Sequence, residues 1–165
     1  MNEIFNFLNY STLYTRCIMA SVAHAIMVGK YNLLASEQSW DSKNYNFQSM
    51  EGVRGVISFE DDIYVCAIQN DADYSNYKEQ NCEKLLLGAD NKVLKLAKEE
   101  ALQYLLAEVN GKNIPFVSAL FWGEKDVNKA NMSEENVINS SEKLIMPYLY
   151  SEEDAKKYWK NYYEM

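Results

Sequence analysis

In 165 residues the chain has one histidine, two prolines, six glycines and three cysteines, and each scarcity removes a class of function. Cys17, Cys66 and Cys82 form no closely spaced pair and their number is odd, so a disulfide framework is not expected and a reducing, cytoplasmic setting is. A Cys3His zinc site would have to use all four sulfur and imidazole donors without C-x-x-C or H-x-x-x-H spacing, so no metal is expected. Any Ser-His-Asp or Cys-His mechanism would need His24, which sits about 10 Å along a predicted helix from Cys17, too far for direct proton transfer. The glycines build no phosphate cradle, because Gly52-x-x-Gly55 falls between predicted strands and not at a helix start, and no cofactor is expected. Basic residues are outnumbered, 16 Lys and Arg against 24 Asp and Glu, and a net charge of −8 repels phosphate backbones. Nucleic acid is therefore not an expected partner. Long apolar runs are also missing: the stretch from Cys17 to Val28 is bracketed by Arg16 and Lys30, too short for a membrane span of about 18 residues. Ala23-His24-Ala25 imitates a signal-peptidase site, but Glu3 and a short apolar region precede it.

What remains is an ordinary globular composition, 48% hydrophobic and 24% charged, of a length that suits one domain over 1–165. Ser11 or Thr12 caps a predicted helix running to about Val28 with Gly29 as its stop, and apolar residues surround most of its circumference, as a central helix requires. The period then changes to two. Val53, Gly55, Ile57 and Phe59, and after them Ile63, Val65 and Ala67, mark two strands turning at Glu60-Asp61-Asp62. Trp40 to Gln48 reads as an earlier strand, joined to the next by the turn at Ser49-Met50-Glu51-Gly52, which makes an antiparallel meander. Asp90 caps a helix carried by Val93, Ala97, Ala101, Leu105 and Val109 and ended by Gly111. Ile114 to Trp122 reads as a further strand despite Pro115. Ser133 and Ser151 open two more helices, separated by Pro147, the second with an aromatic face of Tyr158, Trp159, Tyr162 and Tyr163. The expected fold is α+β: a meander of three to four strands packed against an N-terminal helix and C-terminal helices.

Charge and aromatics concentrate between Tyr31 and Cys82, where nine acids face three bases. Asp41, Glu60, Asp61, Asp62, Asp71 and Asp73, interspersed with tyrosines such as Tyr31, Tyr45, Tyr64, Tyr74 and Tyr77, suggest a recognition face for a basic protein. We take Asp41, Tyr45, Glu60, Asp61, Asp62, Tyr64, Asp71 and Asp73 as the candidate binding residues. The competing reading is a small-ligand-binding or enzymatic domain with a pocket between the first helix and the sheet, lined by His24, Tyr64, Cys66 and Trp122. A third is a homodimer built on the aromatic face of the last helix, although packing of that face into the core is the simpler expectation. Asp71-Ala-Asp73-Tyr-Ser75 begins like a calcium loop, but Asn76 stands where the turn requires glycine and Cys82 where a bidentate glutamate belongs.

Trp40-x3-Asn44-Tyr45-x-Phe47-Gln48, Gly52-x2-Gly55-x-Ile57-x-Phe59 and the run from Ala97 to Tyr104 together resemble an uncharacterised family of small acidic proteins from Firmicute-type bacteria, across residues 20 to 125. That resemblance implies a compact cytoplasmic domain of the immunity-protein kind, which neutralises a toxin, and brings no catalytic residues with it. Gly52 and Gly55 then serve as crowded or turning backbone, with Trp40, Tyr45, Ile57 and Phe59 as packing residues. The expected function is a non-enzymatic protein-binding domain.

Overall fold

The computed structural model describes residues 1–31, 37–76, 82–109 and 111–164. In chain order the elements are β1 (Asn2–Glu3), α1 (Tyr10–Val28), β2 (Gln38–Asp41), β3 (Asn44–Gln48), β4 (Val53–Glu60), β5 (Ile63–Asn70), a 3-10 turn (Asp71–Asn76), α2 (Cys82–Leu85), α3 (Asn91–Glu99), a 3-10 helix (Ala101–Tyr104), β6 (Leu106–Val109), β7 (Lys112–Pro115), β8 (Ala119–Glu124), β9 (Val127–Ala130), α4 (Glu134–Ser140), α5 (Met146–Leu149) and α6 (Glu152–Tyr162). Among the described residues, seven strands form one sheet in the order β1-β9-β8-β5-β4-β3-β2, and β6 and β7 pair separately. Every pairing is antiparallel. The α+β class is as expected, and the meander is its β2 to β5 portion; the sheet is larger because β8, β9 and β1 extend it beyond β5.

Strand alternation gives the sheet two apolar faces. On one, Tyr45, Phe47, Ile57, Phe59, Tyr64, Cys66 and Phe121 pack under α1 and the C-terminal helices. On the other, Val56, Val65, Ala67, Leu120 and Trp122 pack under α3 and the 3-10 helix after it. β5 is buried at all eight positions, as a central strand covered on both sides must be. Two glycines make room for cross-strand rings. A Cβ on Gly55 would stand 2.3 Å from the Phe47 ring, and one on Gly123 would stand 2.2 Å from Tyr64, each in the directly paired position. Buried Asn128 ties the N-terminal segment to this sheet: its amide donates to the carbonyls of Phe5 and Leu8, and its oxygen accepts from the Tyr64 hydroxyl.

Several expected boundaries move. Trp40 to Gln48 is a hairpin, not one strand, turning at Ser42-Lys43 with Ser42 in the left-handed region at φ 55°. α1 is capped by Asn9, whose side chain accepts from the Thr12 amide, two or three residues earlier than the expected Ser11 or Thr12. Asp90 does cap α3, through the Val93 amide, but the helix stops at Glu99, tightens into a 3-10 helix and becomes β6 before Val109. The helical spacing of Ala101 and Leu105 survives this because 3-10 geometry still turns both inward, where they are buried. The run from Ile114 to Trp122 divides between β7 and β8. Pro147 lies between the helices opened by Ser133 and Ser151, as expected, but within a short helix of its own, α5, in whose first turn its missing amide costs nothing.

Candidate functional site

The eight candidate binding residues do not share one face. Tyr45 and Tyr64 are fully buried and unavailable to any partner. Asp61 and Asp62 form the exposed β4–β5 turn, with Asp61 at φ 50°. Asp71 and Asp73 begin the turn at the opposite end of β5, about 25 Å away by strand rise. Glu60 is engaged by Lys43 at 2.7 Å, and that ammonium holds its carboxyl below the usual range. Asp41 accepts from the Tyr104 hydroxyl at 2.5 Å, while Asn44 bonds Ser58, Glu100 and Tyr104. These last contacts fasten the 3-10 helix to the sheet. Tyr77 lies outside the described residues, as does the Tyr74 side chain.

The alternative pocket is not assembled either. His24 and Cys66 belong to the face under α1, whereas Trp122 points to the other face, beneath α3. Between α1 and the sheet the space is filled by Leu13, Cys17, Ala20 and Met27 against Tyr45, Tyr64 and Cys66. Burial pushes the Cys66 and Cys17 thiols up, so neither supplies a thiolate for nucleophilic attack. Among the described residues no group of three or more His, Cys, Asp or Glu comes together as a metal site. Among them, too, no helix is long and apolar enough to cross a membrane.

A cleft does open at the Asp71 end of the sheet, with a volume near 680 Å³. Its walls are the β3–β4 turn, the α4–α5 connection and one side of α6. In α6, Ser151 caps the first turn by accepting from the Asp154 amide, and Ala155, Trp159 and Tyr163 face the core. That leaves Tyr158 and Tyr162 turned toward the cleft. Their spacing of four stacks the rings 5.8 Å apart with planes 14° from parallel, and Tyr150 stands against Tyr158 edge-on at 6.0 Å. Met50, Ile138, Leu144 and Met146 supply the rest of the apolar lining. Met50 is 93% exposed at the mouth.

The cleft's lip is acidic. Glu51 and Glu142 line it with Lys143, a net charge of −1, and Asp71, paired with Arg54 at 3.6 Å, lies directly behind Gly52, where a Cβ would come within 3.1 Å of its carboxylate. Gly52 at φ 92° makes the turn, helped by Ser49 Oγ, which accepts from the amides of Glu51 and Val53. Glu142 and Lys143 are consecutive left-handed residues, at φ 47° and 68°, where glycine usually ends a helix. Each costs on the order of 1 kcal/mol. They are held by the buried Asn70 amide, which donates to the Ser140 carbonyl and to Glu142 Oε1, and by the Lys143 amide bonding Ile138 O. Beneath the tyrosines, Glu37 accepts from the hydroxyls of Tyr162 and Tyr163 at 3.3 and 3.2 Å. Burial and then the Glu37 charge push the Tyr162 phenol up to about 12, so it remains a neutral donor at any physiological pH.

The cleft lining includes none of the eight candidates from the sequence: Asp71 only backs its Gly52 turn, and Met50, Tyr150, Tyr158 and Tyr162 were not among them. The i, i+4 spacing of Tyr158 and Tyr162 is the signal the sequence carries, and the same spacing fits a core stripe. Half of that stripe is core: Trp159 and Tyr163 are buried, whereas Tyr162 is 51% exposed. No known protein family, no curated protein and no solved structure matches the chain.

Proposed function

We propose that this protein is a non-enzymatic binding domain of the immunity type, which grips a basic partner protein in the tyrosine-lined cleft and so blocks the partner's function. The observation that carries this reading is the meeting of Tyr150, Tyr158 and Tyr162 with an acidic lip in one 680 Å³ cleft. An arginine or lysine side chain is amphipathic: its stem lies along Met50, Leu144 and Met146, while its charged head meets tyrosine faces and Glu51 or Glu142. Tyrosine and methionine are the residues that protein interfaces favour, and a recessed aromatic pocket is where a single anchor side chain contributes most. The net charge of −8 steers a basic partner toward the molecule as a whole. The preformed walls keep the ordering cost of binding low.

Affinity capture at low salt with the wild type, Tyr158→Ala and Glu51→Lys side by side tests the proposal. The wild type should retain a basic protein that moderate salt releases, and each variant should retain it about tenfold less well, the scale of one anchor contact. Equal retention by all three, or a partner indifferent to salt, would overturn it.

A further inference from the structure

The outer face of α1 carries an exposed apolar row, separate from the cleft. Both residues of this helix that can carry positive charge, Arg16 and His24, are turned inward and buried, and Arg16 Nε donates to the Tyr150 carbonyl. What faces outward is Ile18, Val22 and Ile26, 41–56% exposed at spacing four, with half-exposed Tyr14 at the edge of the row where its ring also packs on Trp40 and Phe59, and with no charged side chain on that face between Ser11 and Gly29. A helix that is apolar all round belongs in a core, yet this one lies in an outer layer of the molecule. The exposed row needs a cover.

We infer that the cover is a second copy of the chain, docked through α1 against α1, antiparallel about a two-fold axis near Ala20. Rotation about that point exchanges the residues pairwise: Ile18 meets Val22 of the other copy, Tyr14 meets Ile26, and the small Thr15 meets the small Ala25. An isologous contact requires that kind of self-complementarity. The helix ends match as well. Around the start of α1, Asp61, Asp62 and Asp126 gather beside Tyr10 with Lys125, a net negative cluster. The same rotation brings Lys30, exposed just past the helix end, to the level of Tyr10 in the other copy. A parallel pairing would instead set the two acidic clusters against each other. One pair of 19-residue helices, about 28 Å long, falls in the small class of specific interfaces, so the association is weak and reversible. Its consequence is bivalence: two clefts on one assembly gain avidity toward a partner that itself presents two sites.

Sedimentation velocity of the whole chain between about 5 and 500 μM, bracketing a micromolar equilibrium, tests this. The wild type should shift from monomer toward dimer across that range. Val22→Glu, at an exposed position and shown folded by circular dichroism, should stay monomeric throughout. Ile18→Glu and Val22→Lys should each be monomeric alone and dimeric when mixed, because only an antiparallel pairing sets one new charge against the other. A wild type that stays monomeric at the highest concentration, a dimer unaffected by Val22→Glu, or a mixture that fails to associate would each overturn the proposal. The capture experiment on the cleft reads a different surface, so either proposal can fail without the other.

Discussion

α1 and α3 lie on opposite faces of the same sheet and meet water in opposite ways. α3 turns Val93, Leu96 and Ala97 inward and shows Lys92, Lys95, Lys98 and Glu99 to solvent, the division expected of a helix that simply covers a core. α1 buries Leu13, Cys17, Ala20 and Met27 just as firmly, but what it leaves outside is also apolar. Packing against the sheet explains the inner half of each helix. It does not explain the outer half of α1, and that apolar surface is what the proposed dimer would cover.

The sharpest way to break this contrast is to truncate one residue on each helix. Leu96→Ala should lower unfolding free energy by about 2–5 kcal/mol, the cost of emptying a filled core site, while Val22→Ala should stay within about 0.5 kcal/mol at dilutions where the chain is monomeric. Denaturant unfolding measures both. A large loss at Val22 would mean that α1 is covered within the monomer.

A smaller effect probes the polar bonds that fix the α1 side of the sheet. Tyr148 donates to Tyr45, Tyr45 to Gln38 Oε1, Gln38 Nε2 to Tyr163, and Tyr163 to Glu37, so one buried relay joins α5, β3, β2 and α6. Tyr45→Phe leaves Gln38 Oε1 and the Tyr148 hydroxyl without this partner and should cost about 1–3 kcal/mol by the same unfolding measurement. A neutral result would show the relay to be dispensable. The face under α3 depends far more on apolar packing, which is why its buried members are almost all aliphatic apart from Trp122.

The two helix caps give the smallest contrast, and it depends on pH. Asn9 and Asp90 each accept one amide of the first turn, and either change to Ala should cost about 1 kcal/mol. Only Asp90 titrates. Its bond from the Val93 amide, foremost, holds the carboxyl below its ordinary value, so folding favours the ionised form. That contribution is present above the ordinary carboxylate range and is lost as pH falls through the lowered value. Hydrogen exchange should show the Val93 amide losing protection on acidification while the Thr12 amide does not, and Asp90→Asn should remove the difference. Equal behaviour of both amides would contradict this account of the caps.

Much of this architecture was legible in the residues. Alternation marked β4 and β5, and Asp90, Ser133 and Ser151 marked helix starts, because strand period and caps are local signals. β8 and β9 were obscured because Pro115 and the small ribbon precede them, and the chain returns to the sheet only at Ala119. β1 is two residues long and exists through its pairing with β9, which no local pattern reveals. The site was less legible. Acids that are close along the chain fall at the two ends of β5, near in sequence and far apart in space. Tyr45 and Tyr64 carry the alternation of a half-exposed strand, but the C-terminal helices and α1 cover that face completely. Which tyrosines reach solvent was settled by long-range packing of α6, visible only once the fold was assembled.

The central functional claim is that the tyrosine cleft at the Asp71 end of the sheet receives a basic side chain. Amide chemical-shift mapping during titration with a short peptide rich in lysine and arginine tests it most directly. The account predicts saturable shifts confined to the 49–52 turn, the 141–146 connection, and Tyr150, Tyr158 and Tyr162, reduced by salt and absent in Tyr158→Ala. Shifts centred instead on Asp61 and Asp62, or no saturable shift in the cleft, would contradict it.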